Sequence, residues 1–155
     1  MKRKLISTAL LLTCALMPVM AQAFGNHETW SKGWAQGVSE FVILGKGQSQ
    51  LYLACDDYGS QPASIIFTDA TGHQVSMDSG KTLQVRINGG EPIDISESDS
   101  QVGDNNLMQV WNALRTGKQA LVTGDGVRPA LFTLNGAGKV LPAFNTHGCI
   151  SKFAL

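Results

Sequence analysis

The sequence predicts a mainly β domain of the α+β class: an antiparallel β-sandwich or meander with one amphipathic helix packed on it and one disulfide. Three observations predict it. Short runs of alternating apolar and polar residues recur between clusters of Gly, Asp, Asn and Ser, the pattern of half-buried strands joined by tight turns. A convincing helical stripe falls at a single place, Leu107, Val110, Trp111 and Leu114. Cys55 and Cys149 are the two cysteines outside the N-terminal segment.

That N-terminal segment reads as a leader. Lys2, Arg3 and Lys4 precede an apolar run from Leu5 to Met17, and Ala21, Gln22 and Ala23 supply an A-x-A cleavage site. The run is shorter than the ~20 residues a membrane span needs. Residues 1–23 are therefore expected to be a signal peptide and residues 24–155 a single exported, β-rich domain. Cys14 leaves with the leader; Thr13 before it and the processing site after it argue against lipidation. Residues 24–155 keep nine basic and all twelve acidic residues, a formal charge of −3. Nucleic-acid binding favours basic patches, so no nucleic-acid partner is expected.

Once outside the reducing cell interior, two cysteines allow one intramolecular pairing, Cys55 with Cys149. The bridge would close a loop of about 95 residues, worth roughly 4–5 kcal/mol in the chain-entropy model. The alternatives are buried free thiols or a redox or metal pair, and no C-x-x-C spacing supports the latter.

Taken in chain order, Phe24 to Gly37 is rich in Gly and Trp without a clean period and reads as an irregular arm tied down by Trp30 and Trp34. Phe41 to Leu44 is a short apolar run, followed by a Gly-Lys-Gly-Gln hairpin connection. Leu51, Leu53 and Cys55 alternate with Gln50, Tyr52 and Ala54, which turns Cys55 toward the core. Asp56 to Ser60 is turn material. Ser64 to Thr68 and Gln74 to Met77 form the next strand pair, across Asp69 to Gly72.

Leu83, Val85 and Ile87 make the clearest amphipathic strand, and Pro92 to Ser96 can return beside it at an edge, where a leading proline is tolerated. The strands together read as a meander. An acidic loop, Glu97 to Asp104, leads to the helix, which Asp104 or Asn105 can cap and Gly117 can end in the left-handed conformation. Gln119 to Thr123 and Ala130 to Leu134 pair across Gly124 to Gly126, and a Gly-broken tail with a helical turn near Val140 carries Cys149 back to Cys55.

No catalytic constellation emerges, and no enzymatic activity, cofactor or metal is expected. A nucleophilic triad needs Ser or Cys, His and an orienting carboxylate. His27, His73 and His147 lie in an arm, beside a turn glycine and beside Gly148, outside any nucleophile-elbow or H-E-x-x-H context. Asp94, Glu97, Asp99 and Asp104, with Asn105 and Asn106, offer oxygen ligands and raise calcium for the stretch 94–106. They lack the order of an EF-hand loop, and negative residues before a helix also suit its dipole. The glycine clusters at 124–126 and 136–138 lack phosphate-loop spacing and read as turns. Trp and Tyr are enriched at interface hot spots, and Trp30, Trp34 and Tyr58 are the candidate partner-binding residues, with core packing the alternative for the two tryptophans.

The assembled order of Leu51-x-Leu53-x-Cys55, Leu83-x-Val85-x-Ile87-x-Gly89-Gly90, a helix, Phe132-x-Leu134-x-Gly136-Ala137 and a closing Cys149 resembles small exported proteins of two types. These are the type VI secretion-associated VasI type and the invasion-associated locus B type, and the resemblance spans roughly residues 50–149. It implies a β-rich envelope accessory domain with no catalytic residues to carry over. The chain lacks the extra cysteines of the second type, and residues 24–47 match neither. The expectation is a periplasmic or secreted accessory protein that binds another envelope or secreted protein, in a secretion- or conjugation-associated role. The alternative is an inhibitor of a hydrolase such as lysozyme, inserting the turn 56–60 or the loop 97–104.

Overall fold

The computed structural model describes residues 24–155; the leader expected over residues 1–23, with Cys14, lies outside the described residues. Among the described residues nine strands form two antiparallel sheets. The first is a five-stranded meander in which β1 (Ser31–Ala35), β2 (Val38–Leu44), β3 (Gln50–Asp56), β4 (Ser64–Thr68) and β5 (Gln74–Ser76) pair in chain order. The second contains β6 (Leu83–Ile87), β7 (Pro92–Asp94), β8 (Gln119–Gly124) and β9 (Ala130–Thr133), in the order β7-β6-β8-β9.

This second sheet departs from a plain meander. Between β7 and β8 the chain runs through the long helix α1 (Gln101–Thr116), which brings β8 back to the open side of β6. A short helix α2 (Ala137–Val140) and a 3-10 turn at Lys152–Ala154 complete the chain.

Period-2 burial follows the sequence pattern. Leu51, Leu53, Cys55, Ile65, Phe67, Leu83 and Val85 all point into one apolar core, where they meet Leu107, Val110, Trp111 and Leu114 from the helix stripe. Phe67 of the first sheet meets Phe132 of the second edge to face, with ring centroids 6.0 Å apart. Trp111 is fully buried, and its indole N–H donates to the Pro142 carbonyl at 2.9 Å. Such a donor buried without a partner would cost about 1–3 kcal/mol.

The predicted disulfide is present. Cys55 and Cys149 are bonded, both fully buried, 94 residues apart in sequence. A second tie between the sheets is polar. Asp69, fully buried after β4, accepts from the Thr71 amide and hydroxyl and the His73 amide within its own turn, and from the Arg128 amide after β8. These donors hold its carboxyl well below the usual carboxylate range, the Arg128 N–H contributing most.

Three sequence expectations are corrected. The arm from Phe24 to Gly37 is not irregular throughout, because Ser31–Ala35 pairs along its whole length with Val38–Val42. The connection is a two-residue turn in which Gln36 and Gly37 both have positive φ, the primed geometry whose twist suits a hairpin. Gln seldom takes that conformation, which hides the turn.

The helix begins at Gln101, not after Asp104. Ser100 is its N-cap and accepts from the Gly103 amide at 3.0 Å. Gly103, read as loop, belongs in the first turn: a Cβ there would lie 2.6 Å from the Glu97 carbonyl and carboxylate oxygens. The last correction is Gly117, which ends the helix in an extended conformation with φ −77°, not a left-handed one. Its missing side chain matters for space, since a Cβ would approach Ile87 to 2.7 Å and Leu134 to 2.9 Å.

Candidate functional site: an aromatic end beside the disulfide

The β1–β2 turn and the β3–β4 loop meet at one end of the first sheet. Register places Val38 opposite Asp56 and Ser39 opposite Cys55, so the residues following β3 rise directly beside the hairpin turn. The Asp57 amide donates to the Gly37 carbonyl at 2.9 Å and extends the pairing by one step.

Two consecutive carboxylates then do separate work. Asp56 folds its own loop by accepting from the amides of Tyr58, Ser60 and Gln61 and from the Ser60 hydroxyl. These bonds, the Ser60 hydroxyl first, lower its pKa below the ordinary carboxylate value. Asp57 reaches across to the hairpin. One of its oxygens accepts from the Trp34 indole N–H at 2.7 Å and the other from the Ser39 hydroxyl at 2.8 Å.

The result is a pair of outward aromatic side chains, Trp34 fixed by its indole bond and Tyr58 placed by its backbone amide. Trp34 is 64% exposed and Tyr58 83% exposed. The Tyr58 ring lies so close over Gly37 that any Cβ at position 37 would collide with it. Beside them runs an open groove of about 520 Å³ lined by Val38, Ala54, Cys55, Asp56, Gln61, Pro62 and Ser64. Behind it, Gly148 presses on the Asp56 carbonyl where no side chain would fit, and the adjoining Cys149 closes the disulfide.

The candidate partner-binding residues therefore divide. Trp34 and Tyr58 come together at this end. Trp30 does not, for it is 4% exposed, packed in the core, with its indole N–H donating to the Thr133 carbonyl at 3.0 Å. Asp57, which holds the Trp34 ring, and Gly37, which leaves room for the Tyr58 ring, escaped sequence reasoning. No local signal in the sequence marks them, because the Trp34–Asp57 bond joins residues 23 apart.

The other chemical candidates are spread over the surface. His73 has a carboxylate neighbour, Asp69 at 3.5 Å, but that carboxylate already accepts from three amides and a hydroxyl. His147 contacts the Thr146 hydroxyl, and His27 lines a shallow cleft near Lys46 and Leu131. In the acidic stretch each carboxylate faces its own partner. Asp94 takes Ser96, Glu97 takes the Asp99 and Ser100 amides and the Ser100 hydroxyl, Asp99 lies 3.7 Å from Lys152, and Asp104 accepts from Ser151. Among the described residues no three His, Cys, Asp or Glu side chains gather as a metal would need, and no helix is long and apolar enough to cross a membrane.

No curated protein and no solved structure matches the chain. The model of the YfjT family matches residues 28–141, from the approach to β1 through the end of α2, so that both sheets and both helices fall within the match. The chain belongs to the YfjT family.

Proposed function

We propose that this protein is an exported, non-enzymatic accessory protein of the cell envelope, periplasmic or secreted, that docks on another protein through the Trp34–Tyr58 end. The observation that carries the reading is the fixing of the exposed Trp34 ring by Asp57, with the exposed Tyr58 ring beside it over Gly37. Trp and Tyr dominate interface hot spots, and a side chain already held in place loses less entropy on binding. The leader-like segment 1–23 and the resemblance to the VasI and invasion-associated locus B types support the compartment and the accessory role.

The test is a photo-crosslinking amino acid placed at position 58 of the full chain in its native cell. A discrete adduct that disappears in a Trp34→Ala background, on a product whose mass begins at Phe24, is the expected result. A product that keeps residues 1–23, or an adduct pattern indifferent to Trp34, would overturn the reading.

A second reading, inhibition of a hydrolase such as lysozyme, is favoured by the stiffness of the turn 56–60, which Asp56 ties with four bonds. Of the two loops considered for insertion it is the better one, because residues 101–104 belong to α1. Micromolar protein leaving lysozyme activity unchanged removes it.

A further inference from the structure

A groove of about 410 Å³ opens where the end of α1 meets the β9–α2 connection, and Arg115, Lys118 and Lys139 line it together with Asn135, Gly136 and Gly138. We propose that this groove is a binding site for a compact, multivalent phosphoryl group. The proposal stands apart from the aromatic end and does not depend on it.

Charge is the first argument. Residues 24–155 are acidic overall, yet three of their nine cations converge here and no carboxylate is among the lining residues. The two ion pairs of the described residues, His73 with Asp69 and Lys152 with Asp99, involve none of the three. A helix C-terminus attracts cations, but its macrodipole offers only about half a negative charge. It acts on Arg115 and Lys118 at the end of α1, while Lys139 lies in the last turn of α2, a helix of four residues whose dipole is small. Three positive charges around one opening therefore repel one another with little to offset them, and an anion in the groove would relieve that repulsion.

Geometry is the second argument. Arg115 is half-buried and its Nε donates to the Leu141 carbonyl at 3.1 Å, which fixes the guanidinium and leaves its terminal nitrogens without a protein acceptor among the described residues. A guanidinium so held offers the planar fork that matches phosphate and carboxylate oxygens, while the two lysines add mobile point charges. The wall is rigid: a Cβ at Gly138 would come within 2.5 Å of the Arg115 carbonyl. Three cations suit a phosphoryl group of two or more charges better than a single carboxylate. They fall short of the six to ten or so phosphate contacts of a typical nucleic-acid interface.

Two sources carry that chemistry, a soluble phosphate compound and a phospholipid headgroup, and one experiment separates them. The full chain, labelled for amide NMR at low salt, is titrated with pyrophosphate, and in parallel is floated with vesicles of phosphatidylglycerol or of phosphatidylcholine. Saturable shifts at Gly117, Lys118, Gly136 and Gly138, weakened about tenfold or more in Lys118→Ala/Lys139→Ala, are the expected result and assign a soluble ligand. Flotation with the phosphatidylglycerol vesicles alone, abolished by the same double variant, also upholds the site and assigns the lipid.

The variant removes two exposed side chains, and an unchanged melting curve checks its fold. Lys46→Ala/Lys81→Ala, equal in charge loss, is expected to bind like the parent. Shifts spread evenly over all lysines, equal losses in both double variants, or no binding in either arm would overturn the assignment.

Discussion

The two ends of β1 carry the same residue type to opposite fates. At one end Trp30 is swallowed by the core and tied to the second sheet, its indole on the Thr133 carbonyl and its amide on the Asn135 carbonyl. At the other, four residues on, Trp34 stands in solvent and is tied to a carboxylate. One end is held by burial. The other is held by a covalent bridge and a set of polar bonds, with its apolar surface left over. A tryptophan exposed by default would wander, whereas this one is fixed, and that is why the Trp34 end and not the Trp30 end reads as a docking surface.

The largest break in that comparison is expected at the bridge. Cys55→Ala/Cys149→Ala removes a cross-link spanning 94 residues, and the expected cost is about 4–5 kcal/mol, read as the shift in urea midpoint at constant m. Because both sulfurs are fully buried, thiol reductant without denaturant is expected to leave the bond intact. A loss below about 1 kcal/mol would mean that the Trp34 end is held by its polar bonds alone.

Trp30→Ala comes next. Emptying a buried indole site is expected to cost about 3–5 kcal/mol, and it also leaves the Thr133 carbonyl without its donor. Loss of this residue would loosen the contact between the two sheets, so the thermal transition is expected to fall and broaden.

Asp69 offers a check through pH. Its folded-state pKa is depressed relative to the ordinary value of 3.8, so its contribution is fully present above that value and is lost as the pH falls below it toward the folded-state pKa. Asp56 and Glu97, both lowered by hydrogen bonds, act in the same direction. Asp69→Asn is expected to melt earlier than the parent at neutral pH, with the gap narrowing as the pH is taken from 5 toward 2, to an extent that the melting curves measure directly. A constant gap would show that the Asp69 charge contributes nothing and that shape alone joins its turn to Arg128.

Much of this architecture could be read before any coordinates. The alternation of Leu51, Leu53 and Cys55, that of Leu83, Val85 and Ile87, and the stripe from Leu107 to Leu114 state their periods plainly, since each sets its large apolar residues on one face. What escaped was written in pairings between distant residues. The strand β1 alternates poorly because none of its five residues is buried; its register comes from β2. The helix start was concealed by Gly103, a weak helix former whose reason for being there is Glu97. Neither Asp57 beneath Trp34 nor the convergence of Arg115, Lys118 and Lys139 has any local signature, because each site draws on elements far apart in the chain.

The smallest expected effect is the most discriminating. Trp34→Ala removes a ring that is 64% exposed and a hydrogen bond at the surface, so its stability cost is expected to stay below about 1 kcal/mol. The same change deletes the hydrogen-bonded aromatic ring of the docking end, and hot-spot truncations cost about 2 kcal/mol or more of binding. Trp30→Ala and Trp34→Ala therefore dissociate stability from recognition within five consecutive residues. The first lowers the melting temperature without acting on the exposed face directly, while the second leaves the melting curve in place and removes the crosslink at position 58. If instead Trp34→Ala unfolds the protein as severely as Trp30→Ala does, Asp57 holds Trp34 as part of the fold, and an exposed tryptophan there carries no argument for a partner.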